Sequence, residues 1–427
     1  MISGVHPSSQ KDREVFLDVL RGLAIFGILI ANLTMGGLSK GPYELEFGPF
    51  IHPAIDEQLQ FIYTQLIEGK FYSIFSLLFG WGIALQLQRS ESKGINGLPI
   101  LRRRLLFMLL LGAMHMLIWP GDIVLFYAML GFILLPFRRF SNHTLLVFGA
   151  VLIVAPIALY AARMHWPVLD TPRVILQAWA VKADYRLLGI DSEISYIAWT
   201  TQADWWDVIK DNLVGVFYRF SDLFHVSRVP KVLALFLIGF VLGRSNFYTN
   251  ISANKKIIYW IIALGLLIGL PANYLLAYYT EHFSKDYFDL KPAGLYFTIT
   301  YAVGVAPLAM AYVGLSILSF QTGLGKKLMS IVAPVGRMAF SNYVMHSVVC
   351  RIVFLSPGLA YGGKVGALYL SIFAVLLYTF QIILSTLWLK HFQFGPFEWV
   401  WRSLTYGRFQ PLRKATVRRG GRYLFYK

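Results

Sequence analysis

The chain has 427 residues, of which 57% are hydrophobic and 14% charged; soluble domains carry about 25% charged residues, so this composition excludes that class and is typical of a polytopic membrane protein. The net charge of +17 does not indicate nucleic-acid binding, because the basic residues lie in short loops and in the C-terminal tail. A single cysteine, Cys350, excludes an internal disulfide framework and a thiolate zinc site.

Apolar segments long enough, or nearly long enough, to cross a bilayer recur along the whole chain. They predict an all-α, polytopic helical bundle of about ten transmembrane helices. The segments cover residues 16–36, 71–88, 103–119, 122–138, 144–162, 229–245, 256–279, 293–319, 331–354 and 365–389. The first is expected to be a retained span and not a cleaved signal peptide. The stretch 50–67 is a candidate for an additional interfacial helix.

The loops between these segments alternate in charge. One set is basic, from Lys11 at the N-terminus through Arg102 to the tail, and the other set is acidic or mixed, with Glu44 and Asp286 as examples. The positive-inside rule places the basic set in the cytoplasm. An even number of helices with both termini in the cytoplasm satisfies every loop.

This pattern divides the chain into five regions. They are a cytoplasmic N-terminus (1–15), an N-terminal bundle of about five helices (16–162), an extracytoplasmic aromatic and amphipathic segment (163–228), a C-terminal bundle (229–400) and a basic cytoplasmic tail (401–427). Apolar residues from Val208 to Phe224 predict a helix with one apolar face, either interfacial or a lid over an outward-facing site. The tail is expected to contact anionic headgroups.

Three polar residues interrupt the first apolar helix: Asp18, Arg21 and Asn32. At about 100° per residue, Arg21 lies about 60° from Asp18 and roughly 20° from Asn32, so the three share one stripe. A charge at mid-bilayer costs on the order of 2.5–3.5 kcal/mol, so the stripe is expected to face protein and not lipid. It is either a structural Asp–Arg pair or one wall of a polar cavity.

His115 and Asp122 are the candidate catalytic pair. His115 lies about twelve residues into the third helix, about 18 Å from its cytoplasmic end. Asp122 follows Pro120-Gly121, a pair that is expected to break the helix. A turn that brings the carboxylate back to the imidazole would form a general-base arrangement. The alternative is a buried histidine that is satisfied by a structural hydrogen bond.

Asn342, His346 and Cys350 have the spacing i, i+4, i+8 and share one helix face. His346 is expected at a depth similar to that of His115, which it could join across the bundle. Ligand type alone would permit a metal site from these histidines and Asp122, but nothing fixes the spacing, so no metal is expected. Lys70 is a candidate anchor for a carboxylate or phosphate, or a snorkelling interfacial lysine.

Arg21, Arg102, Arg103 and Arg104 predict a cationic cluster near Asp18. Arginine binds phosphate oxygens well, so the cluster is a candidate dock for the phosphates of coenzyme A or another nucleotide-bearing donor. Its alternative role is to set the topology. No Walker-type phosphate loop is present, which argues against ATP-driven transport by this chain.

Several motifs together resemble those of the bacterial YeiB-like membrane proteins, grouped as domain of unknown function 418. They are Leu17-Asp18 with Arg21-Gly22 and Asn32, Gly69-Lys70-Phe71 with Leu78-Phe79-Gly80-Trp81-Gly82, Arg103-Arg104-Leu105 through His115, Trp119-Pro120-Gly121-Asp122-Ile123 with Tyr127-Ala128, Gly336-Arg337-Met338-Ala339 with Ser341-Asn342-Tyr343, and Gly395-Pro396-Phe397-Glu398-Trp399. The resemblance covers nearly the whole chain. It implies a multi-pass protein of the bacterial cytoplasmic (inner) membrane, in a family usually labelled as transport-related.

The first helix also resembles that of a wider superfamily of transmembrane acyltransferases, which includes the acyltransferase-three proteins and the lysosomal heparan glucosaminide acetyltransferase. The resemblance implies transfer of an acyl group from a cytoplasmic donor to a glycan on the other face. In the acyltransferase-three pattern a histidine follows the helix-one arginine after ten residues, whereas this chain has Asn32. Asparagine is not a general base at neutral pH, so that mechanism does not transfer directly.

The leading hypothesis is therefore a membrane acyltransferase that uses an acyl-CoA donor and a glycan or lipid-linked sugar as acceptor. His115 would be the base, Asp122 its orienter, and Asn32 a donor to a developing oxyanion. The residues expected at the acceptor are Asn32, Lys70, Tyr127, Asn342 and His346, and those at the donor are Asp18, Arg21, Arg102, Arg103 and Arg104.

The alternatives are a secondary transporter or exporter, with Asp18 and His115 coupling protons, and a structural or sensory protein. The expected partners are the bilayer and a small-molecule, glycan or lipid substrate; the sequence leaves the oligomeric state and the choice between enzyme and transporter open.

Overall fold

The structure is a computed structural model that describes residues 15–35, 37–39, 48–189, 202–245, 247 and 251–414. Residues 1–14 of the predicted N-terminal region, Glu44, part of the segment 163–228 and the end of the basic tail lie outside these residues. Within them the chain forms helices, with no strand longer than the isolated bridge between Phe392 and Arg413. The all-helical prediction is confirmed.

The helices are numbered here in chain order. They are α1 (Val15–Thr34), α2 (Pro53–Leu66), α3 (Lys70–Glu91), α4 (Leu98–Met116), α5 (Val124–Phe137), α6 (Asn142–His165), α7 (Thr171–Ala183), α8 (Trp205–His225), α9 (Arg228–Arg244), α10 (Ile251–Phe288), α11 (Pro292–Phe320), α12 (Gly323–Met329), α13 (Ala333–Arg337), α14 (Ala339–Phe354), α15 (Ala367–His391) and α16 (Pro396–Tyr406). We call the end of the bundle where α1 begins the near end, and the end where α1 finishes the far end.

Among the described residues, six helical segments are long and apolar enough to cross a membrane: α1, α2 with α3, α6, α10, α11 and α15. The pair α8 and α9 makes a seventh if this bent pair is one span, and α5 is a shorter apolar helix. The remaining two predicted crossings, α4 and α14, are not among these spans. Helix α4 carries three consecutive arginines, and α14 has only 16 residues.

The apolar helices expose much of their surface. Leu267 of α10 and Leu376 of α15 are 73% and 64% exposed, and Val151 of α6 is also exposed. A water-soluble helix turns its apolar stripe toward a core, whereas these helices are apolar on their outer faces as well. Such surfaces are suited to contact with lipid.

The beginning of α1 is buried where the chain turns from α12 into α14. A Cβ at Gly336 would lie 1.7 Å from the carbonyl oxygen of Asp18, and one at Gly22 would lie 2.4 Å from that of Val332. Only glycine permits backbones to approach this closely. The contact places Asp18 and Arg21 beside the Gly336-Arg337 motif.

In its described residues, the segment between α6 and α9 forms the α-helices α7 and α8 at the far end, with a short helical turn on each side of α7. The predicted amphipathic helix is α8, which begins with a capping box formed by Asp204 and Asp207. The chain then bends by 70° between α8 and α9. Ser227 makes this bend in the left-handed region, with φ of 50°.

Candidate functional site

The turn between α4 and α5 brings His115 and Asp122 together. Helix α4 ends at Met116, and the Pro120-Gly121 turn carries the chain back into α5, where a Cβ at Gly112 would lie 2.3 Å from the Leu125 nitrogen. This close antiparallel packing puts Asp122 Oδ2 2.7 Å from His115 Nδ1. The second carboxylate oxygen, Oδ1, accepts a hydrogen bond from the Leu125 backbone N–H at 2.7 Å.

The other ring nitrogen of His115 contacts a residue that sequence analysis did not identify. His115 Nε2 lies 2.9 Å from Ser347 Oγ, on α14. With the carboxylate on Nδ1, the consistent assignment has Nδ1–H donating to Asp122 and Nε2 accepting from the serine hydroxyl. All three residues are buried. We call this hydrogen-bonded chain of Asp122, His115 and Ser347 the buried triad.

Tyr343 packs directly against the buried triad, one helical turn before Ser347. Its ring centroid is 5.1 Å from that of His115, and its hydroxyl accepts a hydrogen bond from the Ile123 N–H at 3.2 Å. Tyr343 and Ile123 also line a large cavity. The cavity therefore ends next to the triad, and Tyr343 lies between the two.

The cavity has a volume of about 320 Å³ and extends to the near end of the bundle. Six basic side chains and two acidic ones line it, so its charge is predominantly positive. The basic residues are Arg21, Arg89, Lys93, Arg104, Arg337 and Arg402, and the acidic ones are Asp18 and Glu398. Asp18 pairs with Arg21 at 2.7 Å, so the cluster that sequence analysis predicted near Asp18 lies in part on this cavity.

Deeper in the bundle the cavity wall becomes apolar. The apolar lining residues include Ile25, Ile28, Phe75, Leu78, Phe79, Ile83, Leu101, Leu105, Met108, Ile123 and Val124. A cationic entrance followed by an apolar interior is complementary to an amphiphile with an anionic head and an apolar tail. We call this space the near-end cavity.

The three consecutive arginines of α4 have different surroundings. Arg104 lines the near-end cavity, donates to Gln86 Oε1 at 2.7 Å and stacks on Trp401 with its guanidinium carbon 4.4 Å from the ring centre. Arg103 lies over the ring of Phe107, and Arg102 is exposed. Neither Arg102 nor Arg103 lines the near-end cavity.

Glu398 connects two motifs that are far apart in the sequence. Its Oε1 accepts hydrogen bonds from the backbone N–H groups of Phe340 and Ser341 at 2.8 and 3.1 Å, in the first turn of α14. Its Oε2 accepts from the Ser341 hydroxyl at 2.5 Å. A carboxylate at a helix N-terminus satisfies otherwise unpaired donors. Burial nevertheless raises the pKa of Glu398 above its ordinary value.

The structure does not bring His346 to His115. His346 Nε2 lies 2.9 Å from Gln381 Oε1 on α15, and Gln381 donates to the Asn342 carbonyl at 3.0 Å. Asn342 in turn donates from Nδ2 to Ser385 Oγ at 3.0 Å. These residues form a separate buried network between α14 and α15. Among the described residues, no group of three or more His, Cys, Asp or Glu side chains is arranged to hold a metal ion.

The other predicted acceptor residues also lie apart from the triad. Lys70 is fully buried, and its ammonium donates to the Thr64 carbonyl at 2.7 Å, which closes the junction of α2 and α3. The Tyr127 hydroxyl donates to the Tyr72 carbonyl at 2.9 Å. Asn32 is partly exposed and does not line the near-end cavity, although it shares a helix with Asp18 and Arg21.

Comparison with known proteins gives relatives along nearly the whole chain. The profile of a family described as "Protein of unknown function (DUF418)" matches residues 242–408. The uncharacterized protein YxaH of Bacillus subtilis is 30% identical over 430 residues, which is 97% of this chain and 100% of that protein. The uncharacterized protein YeiB of Escherichia coli is 28% identical over 92% of this chain and 96% of its own length. No solved structure matches the chain.

Proposed function

We propose that this chain, which belongs to the DUF418 family of proteins of unknown function, is a membrane-embedded acyltransferase. The observation that carries the proposal is the buried triad at the inner end of the near-end cavity. An Asp–His pair that accepts a hydroxyl proton is the arrangement that acyl-transfer enzymes use to activate an oxygen nucleophile.

In the proposed reaction, His115 Nε2 removes the proton of an acceptor hydroxyl as its oxygen attacks the carbonyl carbon of an acyl thioester. The carbon–sulfur bond breaks, the acyl group becomes an oxygen ester, and the proton on Nε2 passes to the leaving thiolate. Asp122 holds the Nδ1–H tautomer and stabilises the imidazolium that forms between the two steps. The hydroxyl of Ser347 marks the position from which Nε2 accepts a proton.

The proposal puts the near end in the cytoplasm of a bacterium, with the chain crossing its inner membrane about ten times and both termini inside. The basic residues of the near-end cavity support this orientation. Phosphates of a coenzyme A donor would meet Arg21 and Arg104, and the thioester would extend along the apolar wall. Because Tyr343 lies between cavity and triad, its ring must move for the acyl carbonyl to reach His115.

Two of the three consecutive arginines on α4 provide a matched test of donor binding. We expect acyl-CoA to raise the melting temperature of the purified protein in nanodiscs, since a ligand at 100 times its Kd stabilises by about 2.7 kcal/mol. Arg102→Gln, at an exposed position, should retain this shift, and Arg104→Gln should reduce it, because Arg104 lines the cavity. Equal shifts in the two variants would remove the donor role of this cavity.

The catalytic role of His115 is tested by product formation. We expect His115→Ala to lower acyl transfer, measured as free coenzyme A released in the presence of native lipid and glycan extracts, by roughly 10²–10⁴-fold. His143→Ala is the control, because His143 is exposed at the near end. Full activity of a folded His115→Ala protein would contradict the proposal.

One observation favours a secondary transporter as the second candidate. Discontinuous helices line substrate sites in many transporters, and α8 and α9 are such a pair, bent by 70°. Proteoliposome uptake distinguishes the two functions, because transport leaves the solute chemically unchanged whereas acyl transfer yields a new covalent product.

A further inference from the structure

We propose that a second group of cations, at the far end, binds the phosphate group of an anionic ligand. The group consists of Arg219 near the end of α8 and Arg228 and Lys231 in the first turn of α9. We call it the far-end cationic cluster. It is separate from the near-end cavity, since none of the three residues lines that space.

Lys231 provides the strongest indication of a ligand. The residue is 7% exposed, and its ammonium lies 3.8 Å from the ring centre of Tyr301. The structure gives this ammonium a ring contact but neither a hydrogen bond nor an ion pair. Burying a charged group without hydrogen bonds is costly, and ionisable residues at such positions in membrane bundles mark ligand sites.

Arg228 lies beside Lys231 and is held by a pair of tyrosines. Its guanidinium carbon is 4.5 Å from the ring centre of Tyr72, and its Nη1 donates to the Tyr301 hydroxyl at 3.3 Å. The two tyrosine hydroxyls are themselves hydrogen-bonded at 3.0 Å. The same aromatic pair therefore positions both cations, and Arg228 keeps further N–H donors for a ligand.

The start of α9 adds a third source of positive potential. The N-cap residue Ser227 makes no side-chain cap, and the first backbone N–H groups of a helix have no partner within it. The preceding helix end is already satisfied, because Arg163 donates to the His225 carbonyl at 2.8 Å. At the bend, it is therefore the backbone N–H groups at the beginning of α9, beside Arg228 and Lys231, that remain available to a ligand.

Two carboxylates face the cluster and do not neutralise it. Asp222 lies 3.8 Å from Arg219 Nη1, and Glu68 interacts with Lys231 over a longer range. The three basic side chains of the cluster therefore outnumber the two carboxylates that face it. The Nε atom of Arg219 is buried without a hydrogen-bond partner, and Arg219 also lies within electrostatic range of Asp122 and Tyr343. The cluster is therefore a neighbour of the buried triad.

A phosphate ester fits this set of donors best, because an arginine fork, an ammonium and a helix N-terminus all bind phosphate oxygens. Its source is either a lipid headgroup or a soluble phosphate ester. If the protein transfers acyl groups as proposed above, the phosphate belongs to the acceptor that reaches His115 from the far end. That role rests on the proposed function, whereas the binding itself does not.

The test measures binding to purified protein in maltoside detergent, which contains no phosphate. The probes are inorganic phosphate, glycerol 3-phosphate and dioctanoyl phosphatidic acid. Binding of each probe is measured by calorimetry at constant ionic strength. We expect the parent protein to bind at least one probe and Lys231→Gln to weaken that Kd by about tenfold or more, as loss of a charged partner does. Lys182→Gln is the matched control, since Lys182 is exposed on α7.

Arg228→Gln is the second variant and is expected to weaken binding similarly, so that misfolding of one variant does not decide the result. Binding of phosphatidic acid alone identifies a lipid source, and binding of all three probes identifies phosphate itself. Absence of binding by the parent protein, or an unchanged Kd in both folded variants, overturns the proposal. His115→Ala should bind the probes normally, so failure of acyl transfer and failure of this site give different results.

Discussion

At the residue scale, neighbouring side chains of α14 belong to different sites. His346 contacts Gln381 on α15, and Ser347 contacts His115 on α4. Successive helical residues point about 100° apart, so adjacent positions face different neighbours. His346, which the sequence predicted as a site residue, is thus part of a network between α14 and α15. Ser347, the next residue, completes the buried triad.

Glu398 gives a prediction at the same scale. Its pKa is raised by burial above the ordinary value of 4.5, so the folded state binds more protons than the unfolded state as the pH rises from that value. Below about pH 4.5 the protonated carboxyl therefore increases the free energy of unfolding, and this contribution is lost as the pH rises through the pKa of the folded state. We expect the melting temperature of Glu398→Gln, relative to the parent protein, to increase over this range.

Melting curves at a series of pH values check this expectation. Glu57→Gln, at an exposed position, is the control and should show a difference from the parent that does not change with pH. A Glu398→Gln difference that is likewise constant, or that decreases with rising pH, would mean that the folded protein does not raise this pKa.

At the scale of elements, the crossing of α3 and α9 depends on two glycines. A Cβ at Gly80 would lie 2.0 Å from the carbonyl oxygen of Phe236, and one at Gly239 would lie 1.9 Å from that of Leu77. Both neighbours are backbone atoms and have little freedom to move. The crossing holds Arg228, in the first turn of α9, against Tyr72 of α3.

We expect Gly80→Ala to destabilise the protein by about 1–3 kcal/mol, as overpacking in a tight core does, and to lower its melting temperature. Gly82→Ala is a control on the same helix, because a Cβ there would meet only Arg21 Nη2 at 4.0 Å. That variant should melt at or slightly above the parent temperature, since alanine favours helix. Similar melting of both variants would show that the helices separate without cost.

At the scale of the whole molecule, the buried triad lies between two cationic regions. The near-end cavity has six basic side chains, and the far-end cationic cluster contributes three more. With the near end in the cytoplasm, a donor and an acceptor would approach His115 from opposite sides of the membrane. The orientation of the bundle is therefore a separate prediction.

Single-cysteine labelling tests this orientation. Cys350 is fully buried, so Cys350→Ala provides a background in which new cysteines are introduced at exposed lysines. We expect a membrane-impermeant maleimide to label Lys182→Cys, on α7, in intact spheroplasts, and to label Lys327→Cys, on α12, only after lysis. The reverse pattern would invert the topology and exchange the donor and acceptor ends.

The sequence by itself determined the membrane class, the existence of most helices and the composition of the basic loops, because these follow from local apolar length and charge. It also indicated the His115–Asp122 pair, since the two residues flank one short turn and their contact is local. The resemblance to the YeiB-like family is confirmed by relatives along nearly the whole chain.

Only the tertiary structure decided which helix faces which. Helical periodicity identifies residues on one face of a helix but not the partner of that face. Ser347 reaches His115 across 232 residues of sequence, Lys231 meets Tyr301 across the α9–α11 contact, and Asn32 lies outside the cavity that Asp18 lines. These pairings depend on how the helices pack against one another, and close glycine contacts such as that of Gly112 with Leu125 set distances that no local pattern specifies.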